Sequence, residues 1–276
     1  MGWRKAGLAL AAASAIGIGA YSGRGALVQG LKSLAQNANE KSKQKLVSEN
    51  QEAWASEVEA RFGIRFYRRP NIAFGYPPGI SEEKKQDFAQ YHPKTDTLYF
   101  FPNQDVISGD SGPVDSLVKE LFPGEKHPVK EDYVHESIHS YRHWLLQMHG
   151  RSSGLPESDD ISSFIGTVLV REGTATLVER SIAGRKCEFN EKYWFRNEDA
   201  YIIFSGSNPE MFFSYIYNSG CKLAEPIVRR FCARGLDALF LDPPDTKEEL
   251  ENLPAYRQKL LDRLESENPG FSGNCS

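Results

Sequence analysis

The stretch KEDYVHESIHSYRHWLLQMH, residues 130–149, decides how this chain is read. Val134, Ile138, Tyr141, Leu145 and Met148 recur at four- and three-residue steps, an apolar stripe that predicts a helix over about 130–149. On such a helix His135 and His139 stand one turn apart on one face, where both imidazoles can reach a single ion. Two neutral imidazoles and a carboxylate suit zinc, with a fourth position left for water. Glu136, beside the first histidine, is placed to take a proton from that water.

The search for the third ligand works outward from this helix. Arg142 and Leu145 stand where a metzincin would have Gly and His, which excludes that class. His143 lies two turns from His135, about 12 Å along the axis and too far to share its metal. A downstream carboxylate remains. Residues 162–182 read as a second helix, and Val170-Arg171-Glu172-Gly173-Thr174-Ala175 sits within it. Glu172 is the first choice of ligand and Glu179, two turns later, the second. Gly173 and Ala175 would let the two helices approach closely. The competing role for Glu172 is a solvent-facing acid paired with a nearby arginine.

HESIH followed by REGTA resembles the gluzincin type of zinc metallopeptidase, whose ligands are HExxH plus a Glu on a following helix. Further on, Tyr217-Asn218-Ser219-Gly220, Gly235 and Pro243-Pro244-Asp245-Thr246 are similar to the tail of certain bacterial gluzincin-like proteins. The likeness covers about residues 60–260. It departs at Asn252-Leu253-Pro254, where those relatives tend to have Leu-His-Pro. The resemblance implies a zincin-like fold and zinc-dependent hydrolysis of a peptide or protein substrate. Glu136 would be general base to a metal-activated water, and His135, His139 and Glu172 would hold Zn2+. Tyr217, which begins the YxxG match, is the candidate donor to the developing oxyanion, against a role as a buried core tyrosine. The alternative is a non-catalytic zincin-like binding or scaffold protein, which would have no need of Glu136.

The rest of the chain supplies the frame. Residues 63–68 (GIRFYR) alternate as a strand does, Ile72 to Tyr76 follow after Pro70, and Tyr91 to Asp96 read as a turn into Thr97–Phe101. Strands first and helices after imply an α+β domain: a small antiparallel sheet, then a mainly helical part carrying the HExxH helix. The strand 97–101 is either an edge strand pairing with an extended peptide or a central one. Residues 26–62 have helical spacing interrupted from Gln36 to Lys43, hence two helices or one broken helix. The expected organisation is a signal peptide or membrane anchor over 1–24, a helical stalk or N-terminal helices over 25–62, and a zincin-like metallopeptidase domain over 63–276.

Composition bounds the partners. The 276 residues carry Lys+Arg 33 against Asp+Glu 37, a net charge of −4, so no nucleic acid is expected as main partner. Arg4 and Lys5 precede a run from Ala6 to Gly23 without charge, the pattern of a secretory signal or of a short anchor. Either places the rest outside the cytoplasm, exported or tethered to a membrane. The four cysteines, Cys187, Cys221, Cys232 and Cys275, lack CxxC spacing. On one helix Cys221 and Cys232 would stand about 16 Å apart, beyond disulfide reach, so Cys187 is expected to pair with one of them.

Overall fold

A computed structural model describes residues 24–80, 89–101, 129–156, 160–195, 201, 206–207, 209–271, 273 and 275. Two compact units divide the chain, residues 1–45 with 103–127 and residues 46–102 with 128–276. Of the first, the described part is residues 24–45, which are helical. Among the described residues no helix is long and apolar enough to cross a membrane. The expected signal or anchor lies outside them.

Helix α1, Arg24–Phe62, is continuous, not two helices or a broken one. The apolar stripe does lapse between Gln36 and Lys43, but no Gly or Pro occurs from Leu31 to Phe62 to stop the backbone. Its later part packs into the second unit rather than standing free. Val47, Trp54, Ala55, Val58 and Phe62 are buried, and Trp54 meets Tyr133 at 5.5 Å. Gly63, at φ +65, ends the helix in the left-handed region.

Residues 63–68 do not form the expected strand. Ile64 and Phe66 point inward as the alternation requires. The Phe66 N–H, however, donates to the Glu59 carboxylate at 2.8 Å rather than to another strand. The sheet proper has strands β1, Asn71–Phe74; β2, Ala89–His92; and β3, Thr97–Phe100, in the order β1-β3-β2. β2 and β3 are antiparallel, joined by the turn that ends at Asp96 (φ 47), but β1 pairs with β3 in parallel, Ile72 opposite Leu98. The sheet is therefore mixed, not antiparallel. A tight turn forces opposite directions on β2 and β3, whereas the long connection from β1 frees it to lie along the other edge. The segment 97–101 accordingly holds the central strand, with both edges paired.

The further α-helices among the described residues are α2, Val129–Met148; α3, Ile161–Ile182; α4, Pro209–Phe231; α5, Ala233–Leu241; α6, Lys247–Glu251; and α7, Leu253–Glu267. The first two match the sequence expectation to within a residue. Asp160 caps α3, accepting from the Ser163 N–H at 3.0 Å. From Ile165 to Val178 α3 is buried on every side except at Arg171, so it is the central helix of the unit. Its closest approach is to α4 rather than to α2. A Cβ on Gly173 would stand 2.2 Å from the Gly220 carbonyl carbon, and one on Gly220 2.1 Å from the Leu169 oxygen. Backbone meets backbone there. Pro226 lies within α4 without breaking it. Cys187 pairs with Cys221 and Cys232 with Cys275, at Cα separations of 5.7 and 5.5 Å.

The described residues are thus mostly helical, with a small three-stranded sheet.

Candidate metal centre

Three helices converge on one point in the second unit. α2 supplies His135, Glu136 and His139, which are half-buried, and one donor atom of each lies within 4.8 Å of the others. The imidazoles stand edge to face, 4.9 Å apart, as neighbouring turns of one helix dictate. α3 supplies Glu172, only 5% exposed, which rules out a solvent-facing acid. Its Oε2 lies 3.4 Å from His135 Nε2 and 3.3 Å from His139 Nε2. Its Oε1 accepts from Arg171 Nε at 2.7 Å and pairs with Nη2 at 2.5 Å. The arginine expected as the partner of a surface acid is present. It binds one oxygen and leaves the other facing the histidines.

These distances are informative. Donors about 2.0–2.1 Å from a tetrahedral ion are separated by roughly 3.3–3.4 Å along each edge of the tetrahedron. Both distances from Glu172 Oε2 to the histidine nitrogens match that edge, which is also the length of an ordinary ion pair, and the donor atoms that lie within 4.8 Å of one another belong to His135, Glu136 and His139.

Glu179, the second-choice ligand, sits behind the first histidine. Its Oε2 is 3.1 Å from His135 Nδ1, on the opposite side of the ring from Glu172. A carboxylate accepts, so Nδ1 carries the hydrogen and Nε2 is the atom left for an ion. Tyr217, on α4, packs edge to face against His135 at 6.0 Å. The Gly173–Gly220 contact explains how it arrives there, since Gly220 follows Tyr217 by one helical turn and Gly173 adjoins Glu172. Glu136 turns towards the sheet. Its Oε2 accepts the backbone N–H of Tyr91 in β2 at 2.6 Å. Asp96 braces that strand: Tyr91 donates its hydroxyl to Asp96 Oδ1 at 2.9 Å, and Trp144 Nε1 donates to the same oxygen at 3.2 Å.

The electrostatics follow from burial opposed by pairing. Burial alone would lower His135, but hydrogen bonds to Glu172 and Glu179 raise it to about 10, which places a proton on both ring nitrogens; an ion at Nε2 would displace the proton there. Burial lowers His139 to about 4, against the pull of Glu172, and so keeps it neutral. Burial raises Glu136 to about 7, opposed by His135 and the Tyr91 amide. Burial would also raise Glu172, yet His139 and Arg171 hold it well below the usual carboxylate range. One carboxyl stays ionised beside the histidines while the other is poised near neutrality, a separation that suits ligand and base.

Sequence reasoning brought together the residues that meet here but missed how they are held. Arg171 adjoins Glu172 and Glu131 stands one turn before His135, so both had a positional signal. Tyr91 acts through its backbone, which leaves none. His143 is engaged elsewhere, by Ser153 Oγ at 2.6 Å and Gln147. Compared with family models, with curated proteins and with solved structures, the chain shows no match.

Proposed function

We propose that this protein is a zinc-dependent hydrolase of peptide bonds with a zincin-like site of the gluzincin kind. The observation that carries the reading is a single carboxylate oxygen, Glu172 Oε2, at tetrahedral-edge distance from the Nε2 atoms of two histidines on another helix. The donor set also fits zinc in chemistry, being two imidazoles and one carboxylate, with the His135 tautomer fixed by Glu179. Zinc held by His135, His139 and Glu172 would polarise a substrate carbonyl and acidify a water.

Glu136 accepts the proton of the attacking water and passes it to the leaving amine. Its Oε2 is engaged by the Tyr91 N–H, which fixes the carboxyl and leaves Oε1 for the transfer. Tyr217, packed on His135, is the donor offered to the developing oxyanion. Both disulfides favour an oxidising compartment, in keeping with an exported or membrane-tethered protein whose leader is the 1–24 segment.

The same contacts could serve a non-catalytic protein as a buried ion pair between α2 and α3. That reading accounts for His135 but not for His139, whose Nε2 faces the same oxygen although burial keeps the ring neutral and so unable to form an ion pair. Metal analysis of the purified chain is expected to give one zinc per molecule, with hydrolysis of an unstructured protein substrate that a chelator stops. His135→Ala and His139→Ala should each lose the zinc. A full equivalent retained by both would place the metal elsewhere, and one zinc without hydrolysis would favour the binding protein.

A further inference from the structure

We infer that Glu179 is a positioning residue for His135, held in a closed ring with Arg185 and Glu131 that keeps the imidazole turned with Nε2 towards Glu172; this rests on the metal reading above. The ring begins and ends on α2. Glu131 stands one turn before His135 on that helix and pairs with Arg185 Nη2. Arg185 Nη2 also reaches Glu179 Oε1 at 3.0 Å, and Glu179 Oε2 accepts from His135 Nδ1 at 3.1 Å. One guanidinium therefore bridges two carboxylates, which without it would repel each other across the helix pair.

The backbone fixes where that guanidinium stands. Gly184, at φ +71, turns the chain at the end of α3. The Gly184 N–H then donates to Ser181 O at 3.1 Å and the Arg185 N–H to Arg180 O at 2.7 Å, a helix end that sets the first residue beyond it. Arg185 is that residue. A histidine ring that turns over about its Cβ–Cγ bond puts Cε1 where Nε2 stood and Cδ2 where Nδ1 stood. With Nδ1–H committed to Glu179, the turned ring would forfeit this bond. Among the described residues His139 has no such support, because its Nδ1 is buried without a hydrogen-bond partner. The ring thus orients one of the two histidines.

A plain clamp between helices would support stability but not metal geometry, so the test reads the metal. Zinc is titrated into the chelator-stripped, disulfide-intact full chain, and cobalt(II) absorption reports ligand geometry. Wild type should bind one equivalent. Glu179→Ala should still bind one, with the tetrahedral cobalt spectrum, but about 10–100-fold more weakly. Glu179→Gln should recover part of the loss, since its amide oxygen still accepts from Nδ1. Arg185→Ala alters a half-exposed side chain that the fold can spare, and should fall between wild type and Glu179→Ala. Affinities all within twofold of wild type would overturn the inference. So would complete loss of the equivalent in Glu179→Ala and Glu179→Gln with melting temperature unchanged, because Glu179 would then be a ligand. A wild type that binds no metal would fail the proposed function itself, and this inference with it.

Discussion

Two acids beside one pair of histidines differ in what holds them, and the proposed function gives them opposite tasks. Glu172 has one oxygen bound by Arg171 and the other aimed at both imidazoles, so it stays ionised, as the proposed ligand must. Glu136 is raised to about 7 by burial and receives a single backbone hydrogen bond, so it is suited to accept and release a proton. Replacing each should separate the tasks. Glu136→Gln keeps size and acceptor but cannot take a proton, so zinc content should hold while turnover falls by about 10²-fold or more. Glu172→Ala should lower zinc affinity and activity together. Parallel metal analysis and hydrolysis assays distinguish these outcomes. Loss of metal in Glu136→Gln with retention in Glu172→Ala would reverse the assignment.

The elements differ in how plainly the sequence announces them. α2 and α3 were legible because their signals are local, an apolar stripe at helical period in one and a long, largely uncharged run in the other. The proposed ligands are carried by those two helices. The sheet was less so, because strand direction depends on connection length and on which edge is free, and four residues of β1 encode neither. Residues 63–68 misled for a related reason. Their alternation reports burial, while a strand also needs a neighbour, and the Glu59 side chain takes that place. Glycines showed the reverse case, since Gly173 and Gly220 stood out singly but their mutual contact joins helices far apart in sequence. Glycine inside a helix costs about 0.5–1 kcal/mol relative to alanine, so Gly→Ala at an open position would stabilise. Here the new methyl would overlap backbone, and overpacking of that kind costs roughly 1–3 kcal/mol or more. The overlap outweighs the gain. Gly173→Ala and Gly220→Ala should each lower the melting temperature, and each should weaken zinc binding by displacing Glu172 or Tyr217 from α2. An equal or higher melting temperature for either would show that the crossing is looser than described.

For the molecule as a whole, the two disulfides are comparable as constraints and unequal as neighbours of the site. They close loops of similar size, with sequence separations of 34 and 43, so each restricts the unfolded chain by about 4 kcal/mol in the chain-entropy account. On stability alone, removing either should cost about the same. Their positions differ. Cys187 follows Arg185 by two residues, and Cys221 adjoins Gly220 at the α3–α4 crossing, so this bond ties the segment carrying Arg185 to the helix carrying Tyr217. Cys232 and Cys275 instead join the start of α5 to the chain terminus, and no site residue lies near either in sequence. The double variants Cys187→Ser/Cys221→Ser and Cys232→Ser/Cys275→Ser should therefore shift denaturant midpoints by similar amounts. Zinc titration should tell them apart, the first pair weakening metal binding and the second leaving it near wild type. Equal losses of affinity would mean that the metal centre responds to global stability and not to the local tether.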